Sequence, residues 1–363
     1  MEKYRFQDMI DIDGSYGEGG GQILRTTVSL SALIQKPVRI VNIRAGRPKP
    51  GLKRQHIAGI ELTSQIVGAE VKGLEIGSTE ISFKPSDMVP GKFSFDIGTA
   101  GSISLVLQAV LPPAILSGEP MSFSLKGGTD VKWSPPIDYV SEVFVPIVKR
   151  LGASLRIRQH KRGHYPRGGG HVEVEVTPIS KLKPLSILEF GDLSMISGIS
   201  HCVKLPSHVA ERQANSAETE LASRDLNFER IKREWYQKDA DPHLGPGSGI
   251  VIWAESNTGM RIGADSLGER GKSAEKVGKE AVYRLLQELA TGKAIDSHLS
   301  DMLIPYLALA DGPSQIGVTE VTSHLMTNIW VAERVLGVNI SLDGDLGYPG
   351  VLSIEGIGFS ISQ

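Results

Sequence analysis

The chain has 363 residues, with 39 Lys and Arg against 41 Asp and Glu for a formal net charge of −2, and 40% of it is hydrophobic. That is enough for a sizeable buried core in one large domain or two to three ordinary ones, and it excludes both a disordered chain and a polycation that coats nucleic acid by bulk charge. The single cysteine, Cys202, can close no disulfide within the chain and supply no thiolate cluster, which agrees with a reducing compartment.

The first residues, MEKYRFQDMIDIDG, mix charges of both signs and lack the apolar core of a secretory signal. The longest apolar stretch, Ile103 to Ser117, is interrupted by Gln108 and by Pro112–Pro113. No membrane span is expected, and a cytoplasmic location is. Along the chain, Gln22 to Ile34 reads as a helix and leads through Lys36–Pro37 into an alternating strand with Val38, Ile40 and Ile43. A loop follows, then a helix with Ile57, Ile60 and Val67 that ends at Gly68–Ala69, then a strand with Ile81 and Phe83. The same order returns twice. Gly101 to Leu116, the strand Met121, Phe123, Leu125, the helix Val140 to Leu151 and the strand Val172, Val174, Val176 form a second copy. The third begins at Ser297, read as an N-cap, and runs through a proline-interrupted helix to Gly312–Pro313, a strand, and a helix from Leu325 to Leu336.

The register is regular. Pro120 lies 83 positions after Pro37, and Pro305 lies 193 after Pro112, the same offset that relates Pro313 to Pro120. The expected fold is therefore α/β: three repeated β/α units in one large domain, made of residues 1–184 (units one and two) and 292–363 (unit three). Residues 185–291 break the pattern and read as a small inserted α/β domain. Its expected parts are a strand Ile199 to Leu205, a helix from Ser207 to about Ala222, strands Ile231 to Trp235 and Ile250 to Ala254, and a helix Ala274 to Leu289. Gly245, Gly247 and Gly249 are read as a turn before the Ile250 strand and not as a nucleotide signature, since no long helix follows.

Equivalent loops of a repeated fold tend to face one another, and the unusual residues collect in them. Gly17 to Gln22, Gly-Glu-Gly-Gly-Gly-Gln, precedes the first helix, where backbone N–H groups and the helix dipole suit an anion. Glu18 inside it suits a divalent metal held by one carboxylate and substrate oxygens. From Arg39 to Arg54 there are six basic residues and no acidic one, interleaved with Gly46, Pro48, Pro50 and Gly51, so this is a shaped basic loop. A second basic run, Arg156 to Arg167, is read as a solvated face or a nucleic-acid contact. His324, in Thr322-Ser-His324, falls level with Gln55 and Tyr139 at the mouth of the second helix, where a neutral ring can turn a nitrogen toward a phosphorus. His56, His201, His208 and His243 are assigned to structure. For His160, His164 and His171, nucleic-acid contact or solvation is preferred over zinc.

Asp13 to Arg25 (DGSYGEGGGQILR), Arg44 to His56 (RAGRPKPGLKRQH), Gly127-Gly-Thr-Asp130 and Ser323 to Asn328 (SHLMTN) resemble the RNA 3′-terminal phosphate cyclases. The resemblance covers essentially the whole chain, insert included, and implies a layout shared distantly with enolpyruvyl transferases. It implies ATP-dependent conversion of an RNA 3′-phosphate to a 2′,3′-cyclic phosphodiester, with RNA bearing a 3′-phosphate and ATP as partners and Mg²⁺ or Mn²⁺ as metal. By resemblance His324 is the nucleophile that becomes histidyl-AMP, and Glu18 holds the metal. Arg25, Arg44, Arg47 and Gln55 clamp phosphates. Gln108, Pro135 and the segment His298, Leu299, Ser300, Asp301 and Met302 form the nucleotide pocket. Members of the family often carry Tyr where His298 stands and Gln where Met302 stands. A catalytically silent cyclase relative acting in ribosome biogenesis and an enolpyruvyl transferase are the alternatives, and the sequence leaves the oligomeric state open, a homodimer included.

Overall fold

A computed structural model describes residues 9–360. Unit one runs β1 (Ile10–Asp13), α1 (Gly21–Ile34), β2 (Val38–Val41), α2 (Arg54–Ile66), β3 (Glu70–Lys72) and β4 (Ile81–Lys84). Strand β1 pairs parallel with β2, β4 pairs antiparallel with β2 and with β3, and the sheet order is β1-β2-β4-β3. Unit two is built alike from β5 (Gly91–Asp96), α3 (Ile103–Ile115), β6 (Met121–Gly127), α4 (Ile137–Tyr139), α5 (Val145–Arg150), β7 (Ser154–Lys161) and β8 (Gly170–Thr177), in the order β5-β6-β8-β7. A π-helical turn over Val140–Phe144 joins α4 to α5 without a break. Unit three opens on β9 (Ser186–Ile187), and the chain then leaves it for the insert.

The insert comprises β10 (Leu193–Val203), α6 (His208–Ala222), β11 (Lys232–Glu234), β12 (Gly247–Ser256), β13 (Arg261–Leu267) and α7 (Ala274–Ala290). Its sheet, β11-β10-β12-β13, carries α6 and α7 on one face. The chain returns as α8 (Ser297–Leu309), β14 (Pro313–Val318), α9 (Ser323–Leu336), β15 (Ile340–Asp343) and β16 (Gly350–Glu355), closing a sheet β15-β16-β14-β9. The repeat is thus strand, helix, strand, helix, then a hairpin of two strands. The opening strands and the first hairpin strands add to the helix-strand-helix-strand pattern of the sequence. Ser186–Ile187 pairs parallel with Gln315–Ile316, so the third sheet draws its first strand from ahead of the insert.

The sheet of unit two buries one face, as the alternation of β6 (Met121, Phe123 and Leu125 inside) requires, whereas the central insert strand β12 is buried on both, Ile250 to Ala254 without a break. The first helix of each unit is buried on nearly every side, which places α1, α3 and α8 at the centre of the molecule. Helix α1 packs on α2, α3 and α9, α3 on α2 and α8, and α8 on α9. Two expectations about α8 are corrected. Its N-cap is Asp296, whose carboxylate accepts from the N–H groups of His298 and Leu299 at 3.1 and 2.8 Å, while the Ser297 hydroxyl donates to Glu288 at 2.6 Å. The helix also runs through Pro305 uninterrupted. Among the described residues no helix is long and apolar enough to cross a membrane.

Candidate active site

The three first helices bring equivalent positions together. Arg25 on α1, Gln108 on α3 and Asp301 on α8 are separated by the same offsets, 83 and 193, that relate the repeats. The Arg25 Nε donates to Gln108 Oε1 at 3.1 Å, and a second guanidinium nitrogen donates to Gln22. Desolvation lowers the Arg25 pKa to about 10, against the pull of Asp301, so it stays charged at neutral pH. Asp301 is pushed up to about 6 by desolvation, although His324, His298 and Arg25 all favour its ionised form. One point of the pseudo-symmetric centre therefore carries a cation, one an amide and one a titrating carboxylate.

Pro305 explains why Asp301 is framed as it is. In an α-helix the carbonyl of residue 301 would accept from the N–H of residue 305, and proline has none. The Asn328 amide, fully buried on α9, donates to that carbonyl at 2.7 Å and accepts from the Thr26 hydroxyl of α1 at 2.6 Å. One side chain thereby ties α1, α8 and α9 at the level of the site. Asn328 lies in the motif that carried the resemblance, but its role becomes visible only when Pro305 is set beside it.

His324 is the second residue of α9, whose N-cap Thr322 accepts from the Leu325 N–H at 3.0 Å. Gln55 is likewise the second residue of α2. In unit two that place belongs to Asp138, and Tyr139, one residue on, is buried and donates its hydroxyl to Asp296 at 2.6 Å. The His324 ring is half exposed, with Nε2 3.4 Å from the Glu18 carboxylate, and the Arg47 guanidinium reaches the same oxygen at 3.4 Å. Glu18 sits in a loop held down by Tyr16, which stacks on Trp330 of α9 with ring centroids 4.2 Å apart. Gly17 in that loop has φ of +57°, and a Cβ there would lie 2.8 Å from the Thr327 hydroxyl, so both the conformation and the space call for glycine.

The other sequence-selected residues divide. Arg44 is nearly buried and donates to the Lys49 and Gly51 carbonyls at 2.7 and 2.9 Å, which shapes its own loop. Beside it His56, not selected, accepts from the Lys53 N–H at 3.1 Å, and desolvation with Arg25, Arg44 and Lys53 drives its pKa down to about 3. His298 keeps an exposed ring and meets Tyr139 edge-on with centroids 6.0 Å apart. Desolvation opposes its protonation, yet Asp265, Asp296, Asp301 and Glu288 outweigh it and raise the pKa. A cleft of about 420 Å³ opens beside it, lined by Gly263, Asp265, Arg284, Glu288 and Thr319 among others. Leu299, Ser300 and Met302 are buried, so of the α8 segment His298 and Asp301 are the side chains that reach the site; Pro135 is buried too.

The histidine trio does not form one group. His160 and His171 stack on the β7–β8 face with centroids 4.9 Å apart, whereas His164 is buried against His201. The second basic run is not wholly solvated: Arg162 is buried, 2.8 Å from both Asp138 and Glu234.

The family model described as RNA 3′-terminal phosphate cyclase matches residues 16–342. The chain belongs to the RNA 3′-terminal phosphate cyclase family. Among curated cyclases, one from Methanopyrus kandleri is 53% identical over 96% of this chain and 99% of its own, and one from Pyrococcus abyssi is 49% identical over 95% and 98%. Of solved structures, the enolpyruvyl transferase NikO from Streptomyces tendae aligns over 96% of this chain and 82% of its own at 11% identity, with a TM-score of 0.20, too slight a likeness to bear on the fold. The cyclase match spans the Glu18 loop, all three first helices and His324.

Proposed function

We propose that this cyclase-family enzyme converts an RNA 3′-phosphate to a 2′,3′-cyclic phosphodiester at the expense of ATP, through a covalent adenylate on His324. The observation that carries the reading is a half-exposed imidazole nitrogen at a helix mouth, facing Glu18 and Arg47, with Arg25, Gln108 and Asp301 converging nearby. A 3′-phosphate dianion offers its neighbouring 2′-OH no leaving group. Attack by His324 Nε2 on the α-phosphorus of ATP expels diphosphate; the RNA phosphate oxygen then takes the adenylyl group from the ring. The 2′-OH attacks the activated 3′-phosphorus, AMP leaves, and the hydroxyl proton passes to solvent. Dependence on the 2′-OH selects RNA over DNA.

Glu18 fits a divalent cation. Its two contacts are long, so its oxygens remain available, and it lies where triphosphate charge would gather. When bound, Mg²⁺ or Mn²⁺ would offset that charge. Arg25 and Arg47 supply guanidinium donors to phosphate, Gln55 an amide from the mouth of α2, and Arg44 holds the basic loop in shape. We assign the nucleoside to the cleft beside His298, whose ring lines it.

Incubation with α-labelled ATP and Mn²⁺ tests the reading. Wild-type protein should acquire an acid-labile, alkali-stable label that His324→Ala loses while keeping the wild-type melting curve. A folded wild-type protein that takes no label would refute the proposal and favour the silent ribosome-biogenesis relative or an enolpyruvyl transferase.

A further inference from the structure

At the seam between unit two and the insert lies a buried group of polar side chains for which the proposed reaction has no use. Asp130 follows β6, His164 follows β7 and bridges to Asp130 in register, and His201 lies on β10 of the insert. All three are buried, and one donor atom from each lies within 4.8 Å of the others. The Nε2 atoms of His164 and His201 face each other at 3.1 Å, and Asp130 Oδ1 stands 3.7 Å from His201 Nε2. That last separation is too long for a hydrogen bond. Both suit two ligands of one ion: with bonds of about 2.0–2.1 Å, a tetrahedral edge is about 3.3–3.4 Å.

The surroundings are shaped to the rings. A Cβ on Gly247 would lie 2.1 Å from the His164 ring, and one on Gly249 would lie 3.1 Å from that of His201. Two of the three glycines that read as a turn therefore make room on β12 for imidazoles. Neither Nδ1 has a hydrogen-bond partner among the described residues, and the contact between the two Nε2 atoms needs a proton on one of them, which a bound cation would displace. Arg162 also contacts Asp130, 3.4 Å from both oxygens, and pairs with Asp138 and Glu234. Three carboxylates thus surround one guanidinium, a surplus of negative charge that a divalent ion balances.

We infer that Asp130, His164 and His201 bind one transition-metal ion of the zinc class, with water at the fourth position, as a staple between unit two and the insert. Two nitrogens and one oxygen suit zinc, whereas Mg²⁺ prefers oxygen alone, so this site is chemically distinct from that of Glu18. Its ligands come from parts of the chain that are separate in sequence, and binding stabilises the docked insert.

The test uses the full chain, stripped with a chelator and titrated with Co²⁺. The expected result is one tight equivalent with the strong visible bands of tetrahedral cobalt, a raised melting temperature, and no thiolate band in the near ultraviolet. Glu18→Gln should leave these bands intact, and Asp130→Asn and His201→Phe should abolish them. Because either of the latter can unfold the seam, His164→Cys is the second arm: it keeps a ligand and should add a thiolate-to-cobalt band. Absence of visible bands in wild type, their persistence in folded Asp130→Asn or His201→Phe, or a His164→Cys protein without the thiolate band would each overturn the site. A thiolate band in wild type would also do so, since it would place Cys202 on the metal. None of these readouts depends on the cyclase reaction.

Discussion

Replacing Asn328 by Ala removes the donor to the Asp301 carbonyl and the acceptor for the Thr26 hydroxyl. A buried polar group left unpaired costs roughly 1–3 kcal/mol. Thr26 can turn its hydroxyl to the carbonyl one helical turn back, which puts its loss at the low end, whereas the Asp301 carbonyl has no alternative because residue 305 is proline. The expected cost of Asn328→Ala is therefore roughly 3 kcal/mol. Pro305→Ala supplies an N–H where the carbonyl needs one. In that background the same Asn328→Ala change should cost roughly 1–2 kcal/mol less, a coupling that a double-mutant cycle resolves. Urea unfolding of the four proteins gives the cycle, and self-adenylation of Asn328→Ala should fall as His324 loses its register with α1 and α8. If the change costs the same in the wild-type and Pro305→Ala backgrounds, the account of Asn328 as substitute donor is wrong.

Further outcomes follow from the same geometry. Gly17→Ala should lose most of its self-adenylation yet melt close to wild type, because the strain falls on an exposed loop; equal activity would show that the Glu18 loop tolerates displacement. Asp301 has a folded pKa of about 6, above its ordinary 3.8, so its ionisation opposes folding: its contribution is full below 3.8 and is lost as pH rises through 6. Asp301→Asn should thus melt higher than wild type at neutral pH while adenylating more slowly, and the loss of wild-type rate as pH falls through about 6 should vanish in the variant. A low-pH limb that survives the substitution would exclude Asp301 as its source. The proposed hold on the RNA terminus, mainly through its phosphates, requires RNA affinity to weaken steadily as NaCl rises, and a flat titration would contradict it.

The repeat was legible because prolines and glycines at helix ends keep their spacing even where apolar residues drift. The opening strands were not: Ile10–Asp13 alternates over too few residues to stand out, and Ser186–Ile187 is a strand only because Gln315–Ile316 lies beside it. Phe93 and Phe95 in β5 did carry a period-two signal. At the site, His324, Glu18 and the basic loop could be found from residue type and motif. The convergence of Arg25, Gln108 and Asp301 was already present in the offsets of 83 and 193, but only helix packing shows that equivalent positions meet. Assigning His201 and His164 separately missed their pairing, because β10 and the loop after β7 are brought together by the insert and not by sequence proximity.

The third sheet begins before the insert and is completed after it, which sets the order in which a nascent chain can acquire its parts. By the time Gln108 has emerged, Glu18 and Arg25 are already out, yet His324, the proposed nucleophile, is still unmade. At roughly 5–20 residues per second the wait for His324 is roughly ten to forty seconds. Throughout that interval the half-built protein presents the basic Arg39–Arg54 loop without His324, and residues 193–290 must all emerge before β14 can find β9. On the proposed reading, a chain stopped anywhere before α9 lacks the ring that would carry the adenylate.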